Sequence, residues 1–515
     1  MKQFEEYFNI NALSDEFKET IKPQYKEIKE LLSDEMVLIS GDFYGIQKFI
    51  FEGLGTKNAS KVLRAKSAYI QLFSNYLAKY ICFRLGLDEQ QILSVTAGKF
   101  EILAPSSIDI DILTDIHNKV DTFFIKNFFG LAGVGISYVK CSRDDFLDTN
   151  RYKELREKVA KSVELKKFKK FNLTDKESTL SYDEGINNQN LCPICNIRKG
   201  KDGCSICKNF VRLGELLVKK ESNTLTNIEL GINIDDSFII DLKIDNSIKF
   251  YVAPKSNKPR DFESLAQSSC DDLDTGIKAL AVLKADVDGM GNFIKESDVT
   301  DSFENFYLFS NGLNDFFSQF VPKYLRKKYR DSYTVFTGGD DLFIIGAWDE
   351  MLKFARELQD IFKKYVKNKL TISFGIAVIK PSYPVARIAE ITEEMLEDAK
   401  EVEGKDAITL FGESVKWKSY LNTYKKLDAT FKNLKKEEEK TALLYRLLEF
   451  TSMSNNVKEN IKNTIWKSKI NYLFNRNMSK DSITTILPIL DESIEKYPKE
   501  SKMFLSEYIY TRRKV

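Results

Sequence analysis

Residues 285–294 read ADVDGMGNFI, and residues 41–50 read GDFYGIQKFI. The two stretches align without a gap, so that Asp42 matches Asp286, Gly45 matches Gly289 and the same Phe-Ile pair ends both. Each stretch follows an apolar run that predicts a buried strand, and each leads into sequence with helical periodicity. The repeat therefore predicts two copies of a β-α-β-β-α-β unit, the second with an extra helix and strand.

Carboxylates occur at the predicted hairpin turn of the second copy only. Residues 338–341 read Gly-Gly-Asp-Asp, whereas the first copy has Thr-Ala-Gly-Lys at residues 96–99. The two glycines allow a tight turn that a polyphosphate can approach closely. The two aspartates and Asp286, at the end of the neighbouring strand, offer oxygen ligands for Mg²⁺ or Mn²⁺, which suits nucleotidyl transfer. Taken alone, the same four residues are also compatible with an ordinary solvated turn.

Softer candidates lie at other turns of the two units. We expect Gly45, Gly289 and Gly291 to form strand-to-helix turns close to phosphates. Lys405, in a Gly-Lys-Asp turn before the last predicted strand, is a candidate phosphate ligand, with an exposed turn lysine as the alternative.

Four of the seven cysteines form two CxxC pairs with eight residues between them. Two such turns can close a tetrahedron of thiolates, so the pattern predicts a structural zinc knuckle. The alternatives are two disulfides or a thioredoxin-type redox pair. The predicted zinc ligands are Cys192, Cys195, Cys204 and Cys207. The other three cysteines, at positions 82, 141 and 270, are expected to be buried or incidental thiols.

Composition limits the class of protein. The 515 residues include 78 Lys and Arg against 76 Asp and Glu, a formal net charge of +2, which excludes a uniformly basic nucleic-acid coat. No stretch approaches 18 uninterrupted apolar residues, and the N-terminus lacks a secretion signal. We expect a soluble cytoplasmic protein that makes no contact with membranes.

The fold class expected from these patterns is α+β. The predicted parts are an N-terminal helical segment at 1–36, the first unit at 37–145, a zinc-knuckle domain with a linker at 146–276, the second unit at 277–418 and a C-terminal helical bundle at 419–515. Finer expectations are one amphipathic helix at 14–32 interrupted at Pro23, a helix at 211–220, strands at 237–242 and 248–252, and a linker or mobile loop at 255–275.

The motifs together resemble a known family. Residues 40–51, residues 59–67 (ASKVLRAKS), the CxxC pairs, residues 283–291 and the GGDD sequence occur in the order found in the large palm-domain subunit of type III CRISPR effector complexes, most like the Csm (III-A) subtype. The resemblance runs from about residue 37 to the end. It implies two ferredoxin-like, cyclase-related palm domains that face each other, a zinc domain between them and a C-terminal helical domain.

The resemblance also implies an activity. In this family, target RNA paired to guide RNA within the multisubunit complex switches on conversion of ATP into cyclic oligoadenylates, which are second messengers of antiviral defence. The implied metal ligands and catalytic residues are Asp286, Asp340 and Asp341, and Asp288 is a weaker candidate near them. Gly338 and Gly339 would approach one triphosphate, and Asp42, Gly45 and Gln47 would lie near the second nucleotide.

One departure from the family concerns the HD nuclease domain that begins many of its members. That metal site needs several histidines, and this sequence has only His117, which we expect to be a packing or surface residue. HD-type DNA cleavage is therefore expected to be absent.

Three alternatives to the synthase stay open. A diguanylate cyclase usually carries Glu at the second acidic position of the turn, a templated polymerase needs basic surfaces that track a strand, and an architectural ribonucleoprotein subunit would have a silent GGDD.

Overall fold

The structure is a computed structural model that describes residues 2–513 except for 22–24, 26–27, 52–53, 55–57, 97, 169–190, 218–222, 245–253, 256–257, 271–274 and 436–437. The α+β class is confirmed: two sheets, each covered by helices, are followed by a helical C-terminal part. None of the helices in the described part is long and apolar enough to cross a bilayer.

The N-terminal residues form short helices, α1 (Lys2–Tyr7) and α2 (Asp15–Lys18), with single helical turns at Ile10–Ala12 and Lys29–Leu31. The prediction of one helix across residues 14–32 is therefore wrong for the described residues. The reason is that the apolar side chains of this segment serve two separate cores. Phe17 packs on the ring of Phe320, whereas Ile28 packs beside the first sheet.

The first sheet has the strand order β2-β3-β1-β4 and is antiparallel throughout, which is the ferredoxin-like order. Its long helices pack on one face, and their apolar residues form one core with the strands. The predicted β-α-β-β-α-β order is confirmed. The elements are β1 (Met36–Tyr44), α3 (Ile46–Phe51), α4 (Ala59–Leu85), β2 (Ile92–Thr96), β3 (Lys99–Pro105), α5 (Ile110–Phe128) and β4 (Gly133–Cys141).

The middle part is irregular. Its elements are α6 (Arg143–Leu147), α7 (Thr149–Phe168), α8 (Ser205–Leu216), β5 (Asn223–Thr226), β6 (Asp241–Ile244), β7 (Pro254–Lys255), β8 (Lys258–Pro259) and α9 (Phe262–Gln267). The helix predicted at 211–220 begins at Ser205, because the Cys204 thiol accepts the Cys207 N–H (3.4 Å) and caps it.

Two further expectations for the middle part need correction. The strand expected at 237–242 is displaced towards the C-terminus, because β6 begins at Asp241 and ends at Ile244. The strand expected at 248–252 falls outside the described residues. The predicted linker at 255–275 contains β8 and α9, since Leu265 and Ala266 are fully buried against the neighbouring core.

The second sheet has the order β10-β11-β9-β12-β13-β14. The structure adds β14, which the sequence reading did not contain, and a π-helical turn at Phe316–Phe320 between two of the helices. The elements are β9 (Leu280–Val287), α10 (Met290–Glu296), α11 (Phe303–Asp315), α12 (Val321–Lys328), β10 (Ser332–Gly338), β11 (Asp341–Ala347), α13 (Trp348–Tyr365), β12 (Ile372–Ile379), α14 (Val385–Glu401), β13 (Ala407–Leu410) and β14 (Glu413–Lys416).

Both faces of the second sheet are buried, which explains why its strands read as continuous apolar runs. We call the unit built on the first sheet (β1 to β4) the first palm and the unit built on the second sheet the second palm. Val282 and Phe343 belong to a core shared with helices α3 and α4 of the first palm. Leu283 and Ile344, one residue further along each strand, belong to the core formed with α13 and the N-terminal helices. By strand alternation, Lys284, Asp286 and Asp341 point to the face that the first palm covers.

The C-terminal part is an all-helical bundle around its own core, as predicted. Its helices are α15 (Trp417–Phe431), α16 (Thr441–Asn455), α17 (Trp466–Asn477), α18 (Lys480–Thr485), α19 (Leu487–Lys496) and α20 (Pro498–Arg512). A buried ion pair between Arg356 of α13 and Glu507 of α20 (2.8 Å) joins the bundle to the second palm.

Candidate active site

The GGDD turn is a two-residue hairpin loop. Gly338 and Asp341 are paired across β10 and β11, so that Gly339 and Asp340 form the loop. Gly339 has φ +67°, which suits the first loop position of a type II′ turn, where glycine is favoured. Its N–H donates to Oδ1 of Asn314 on α11 (3.0 Å), and the carbonyl of Asp340 accepts the N–H of Val287 (3.1 Å). These bonds hold the tip against the end of β9.

The predicted carboxylates meet at this tip. Asp341 is paired directly with Asp286 across β11 and β9, and Asp340 is adjacent in the loop. Burial and the neighbouring Asp340 carboxylate raise the pKa of Asp341 to about 8, while the ammonium groups of Lys284 and Lys99 oppose that shift. Carboxylates gathered in this way repel one another unless a cation joins them. Among the described residues only the four cysteines have three or more ligand atoms within 4.8 Å of one another, and Asp286 is paired with Lys400, so a divalent cation at this turn stays a prediction.

Three lysines border the carboxylates. Lys284, whose side chain is buried, forms an ion pair with the half-exposed Glu393 of α14. Lys400, two turns further along the same helix, forms an ion pair with Asp286. Burial and the charges of Lys405 and Lys284 lower the pKa of Lys400 to about 8. Lys405 has φ +49° in a turn whose N–H bonds back to the carbonyl of Val402 (2.7 Å). Lys405 is thus close enough to Lys400 for its charge to act there, and its role as a phosphate ligand stays a prediction.

Asp288 lies apart from this cluster. Its Oδ2 accepts hydrogen bonds from Thr371 (2.8 Å), Ser373 (3.0 Å) and the backbone N–H of Asp406 (3.0 Å). The side chain is buried. These contacts to Oδ2 fix the turn that carries Lys405, whereas Oδ1 is buried without a hydrogen-bond partner among the described residues, and the placement of Asp288 beside a nucleotide stays a prediction. The following Gly289 has φ +65°, and open space surrounds the place where its Cβ would lie.

The first palm repeats this geometry with a different charge. Asp42 is paired with Lys99 across β1 and β3, as Asp286 is paired with Asp341. The N–H of Phe43 bonds to the carbonyl of Gly98 (2.9 Å), as that of Val287 bonds to Asp340. Lys99 therefore occupies the position of Asp341 and Gly98 that of Asp340.

The other predicted residues of the first palm cluster at the end of β1. Asp42 forms an ion pair with Lys167 of α7 (2.7 Å), and half-buried Gln47 lies in the first turn of α3. Gly45 has φ +73°, and a Cβ there would overlap the carbonyl oxygen of Leu131. The amide of Phe49 bonds to Gly45 (2.9 Å) as that of Phe293 bonds to Gly289 (2.9 Å), which matches the alignment of the two repeats.

The two palms are in direct contact beside this site. The ring centroids of Phe51 on α3 and Phe343 on β11 are 4.7 Å apart. The Tyr333 hydroxyl donates to the carbonyl of Ser60, and the guanidinium of Arg64 lies over the Tyr333 ring at 5.3 Å. The charge of Lys99 on the first palm reaches Asp341 on the second. Residues of both palms therefore act on the GGDD turn.

The four predicted zinc ligands form one cluster. Their sulfur atoms lie within 4.8 Å of one another and all four cysteines are buried, so they can hold a metal ion. The knuckle belongs to the core of the first palm. Helix α8, which begins between Cys204 and Cys207, packs closely on α4. The two helices are so close that a Cβ at Gly214 would overlap the carbonyl of Lys61. The four cysteines therefore stabilise the first palm, and they lie far from the GGDD turn in the sequence.

His117 is a packing residue, as expected. It is 9% exposed on α5, and its Nε2 lies 3.5 Å from Oδ2 of Asp121. Burial and the charge of Lys166 lower the pKa of His117 to about 4, and burial raises that of Asp121 to about 7. No other histidine occurs in the sequence.

The sequence reading missed the cations of the site. Lys284 stands two residues before Asp286 in an apolar strand, which was a visible signal. Glu393 and Lys400 share one face of a helix seven residues apart, but nothing local distinguishes them from surface residues. The first-palm residues at 96–99 were aligned with GGDD, yet Lys99 received no role.

Two segments of the chain match described protein families. Residues 279–409 match the second palm domain of Cas10/Cmr2, and residues 35–183 match domain B of the Csm1 subunit.

Curated relatives agree with these matches. The chain is 25% identical to the CRISPR system single-strand-specific deoxyribonuclease Cas10/Csm1 (subtype III-A) of Thermococcus onnurineus, over 89% of this chain and 67% of the relative. It is 28% identical to the protein of the same description from Enterococcus italicus, over 77% of this chain and 56% of the relative. The chain thus spans about three fifths of the length of these relatives.

Solved structures share the fold. A Csm1–Csm4 cassette in complex with cA3 superposes with a TM-score of 0.70 at 21% identity, covering 93% of this chain and 70% of that one. Another, in complex with cA4, gives a TM-score of 0.70 at 21% identity, over 94% and 71% of the two chains. A third, with one ATP, gives 0.68 at 20% identity, over 93% and 70%.

Proposed function

We propose that this chain, a homologue of the Cas10/Csm1 proteins of subtype III-A CRISPR systems, converts ATP into cyclic oligoadenylates. One observation carries the proposal: Asp286 and Asp341 are paired at strand ends beside Asp340, and the first palm repeats this pairing with Asp42 but has no acid in its hairpin turn. Two such units side by side can hold two nucleotides, one whose 3′-hydroxyl attacks and one whose α-phosphate is attacked. The structures of similar proteins with ATP, cA3 and cA4 support this choice of substrate and product.

The proposed reaction is a repeated nucleotidyl transfer. The 3′-hydroxyl oxygen of one ATP forms a bond to the α-phosphorus of another, the bond from that phosphorus to the β-phosphate oxygen breaks, and pyrophosphate leaves. The hydroxyl proton is released to solvent. The last transfer joins the two ends of one chain and closes the ring. Holding both substrates in line lowers the entropic part of the barrier.

Each part of the site has a role in this proposal. The turn formed by Gly338 and Gly339 lets the donor triphosphate approach the backbone, and Lys400 and Lys405 lie where its outer phosphates can be contacted. Asp42, Gly45 and Gln47 are assigned to the nucleotide on the first palm. Asp288 acts indirectly, since it holds the turn that carries Lys405.

Asp286, Asp340 and Asp341 would hold Mg²⁺ or Mn²⁺, consistent with the raised pKa of Asp341. When bound there, the cation would neutralise triphosphate charge and make the attacking hydroxyl more acidic. We assign the four-cysteine cluster to structural Zn²⁺, because four protein ligands leave no open position for substrate.

The proposed setting is a type III CRISPR effector complex in the cytoplasm. The relatives are named as subtype III-A proteins, and the similar structures are Csm1–Csm4 assemblies. Guide RNA paired with target RNA would switch on synthesis there, in antiviral defence. We also propose that these 515 residues carry no HD-type nuclease site, because their one histidine is buried beside Asp121.

The test is synthesis by the purified chain, alone and within its reconstituted complex with target RNA, given ATP or GTP with Mn²⁺ or Mg²⁺. We expect cyclic adenylates by mass spectrometry, and their complete loss in Asp340→Ala/Asp341→Ala with zinc content and assembly unchanged. Cyclic di-GMP would identify a diguanylate cyclase instead. Bound nucleotide without any product would identify an architectural subunit.

A further inference from the structure

The two palms differ in charge at one equivalent position. Asp341 of the second palm and Lys99 of the first have the same register with the end of the central strand and the same hairpin-to-strand hydrogen bond beside them. Exchanging Asp for Lys changes the local charge by two units. The position that holds the carboxylate of Asp341 in the second palm holds the positively charged Lys99 in the first.

Asp42, the acid of the first palm that corresponds to Asp286, already has a counter-charge. Asp42 is buried, and its Oδ2 lies 2.7 Å from the ammonium of Lys167. Lys99 is exposed and forms no ion pair with any residue that the structure describes. Among the described residues, one positive charge at the end of β1 and β3 is therefore without an ion-pair partner, and the carboxylate that corresponds to Asp286 is already paired.

Lys99 also lies within electrostatic range of the GGDD turn. Lys99 acts electrostatically on Asp341, although the two residues belong to different palms. An anion seated at Lys99 is thereby within range of groups at the GGDD turn. Phosphate oxygens are the natural partners of an uncompensated ammonium beside a glycine turn, here Gly98 with φ +85°.

We propose that Lys99 binds the phosphates of the nucleotide on the first palm, and that this palm holds its nucleotide without a divalent cation. The inference rests on the proposed function, because it assigns a role to one of the two nucleotides of that reaction. Lys99 replaces the metal as the counter-charge, so that the cation requirement of the protein belongs to the GGDD half alone.

The experiment measures binding of the non-hydrolysable analogue AMPPNP to the full-length chain by calorimetry, in EDTA and in Mn²⁺. In EDTA we expect one bound AMPPNP per chain, and Lys99→Ala should weaken that binding by about 10- to 100-fold, the loss of one charge-assisted hydrogen bond. Lys99→Arg should retain it, and Lys99→Asp should lose more than the alanine variant. Binding that appears only with Mn²⁺ should survive in Lys99→Ala.

Lys140→Ala is the matched control. Lys140 is an exposed lysine on β4 at the opposite end of the same sheet, where it pairs with Val37, so its loss should leave both binding events unchanged. Zinc content and unfolding temperature of every variant report whether the first palm is still folded.

The outcomes separate this inference from the proposed function. Unchanged AMPPNP affinity of Lys99→Ala in EDTA, or no EDTA-resistant site in the unmodified chain, overturns the inference even if cyclic oligoadenylates are made. A Lys99-dependent site in a chain that makes no product under any condition supports the inference and overturns the synthase.

Discussion

Replacing Asp341 with Asn tests whether the GGDD turn is a repulsive carboxylate cluster that a cation relieves. Without a divalent cation, burial and the Asp340 carboxylate raise the pKa of Asp341 from its ordinary 3.8 to about 8. A carboxyl whose pKa is higher in the folded state binds its proton more tightly there. Folding stability is therefore fully present below pH 3.8 and is lost as pH rises towards 8.

The size of the effect follows from these two pKa values. At about 1.4 kcal/mol for each pH unit, the upper bound is about 6 kcal/mol of lost stability at pH 8 and above. Asp341 is partly exposed, so solvent screening and relaxation reduce the expected loss to about 2 kcal/mol. For a domain of this size, that corresponds to an unfolding temperature lower by about 5 °C.

The assay is thermal unfolding from pH 6 to 9, in EDTA and in Mn²⁺. In EDTA, the unmodified chain should become less stable as pH rises to 8, whereas Asp341→Asn should not and should unfold about 5 °C higher at pH 8. Mn²⁺ at a hundredfold excess over its Kd should stabilise the unmodified chain by about 2.7 kcal/mol, and the variant by much less.

Glu350→Gln is the matched control. Burial also raises the pKa of Glu350, to about 7, but this residue accepts the N–H of Asp331 at the far end of β10. Its replacement should alter the pH dependence of unfolding and leave the Mn²⁺ response intact. The reasoning is refuted if Asp341→Asn melts with the unmodified chain at pH 8 in EDTA, or gains as much stability from Mn²⁺.

Two further predictions concern the scaffold of the site. Gly45→Ala should destabilise the chain by about 1–3 kcal/mol, because its φ is positive and the added Cβ would meet the carbonyl of Leu131. Gly289→Ala, at the equivalent turn with open space around the Cβ, should destabilise the chain less. Equal melting temperatures of the two variants would contradict this. Cys204→Ser should release the metal and lower the unfolding temperature, because the knuckle shares the core of the first palm; full zinc content by mass spectrometry would contradict the ligand assignment.

The repeat and its elements were readable from the sequence because they depend on local periodicity. Strands β1 and β9, which precede the two repeated stretches, and the hairpin at residues 338–341 lie where the pattern predicted them. The wrong expectations fell where tertiary contacts override local pattern. The segment around Phe17 and Ile28 bends because its apolar side chains enter two cores, and α9 forms within a polar stretch because Leu265 finds a core to enter.

The sequence by itself predicted the acids of the site and the cysteines of the knuckle, because the acids lie in two short motifs at predicted strand ends and the cysteines in two CxxC turns. Only the tertiary structure decided what surrounds them. Strand pairing put Asp286 opposite Asp341 and Lys99 opposite Asp42, helix packing brought Lys400 to Asp286, and the end of β12 supplied hydrogen bonds to Asp288. Charges acting through space depend on which distant segments meet, and local sequence does not encode that distance.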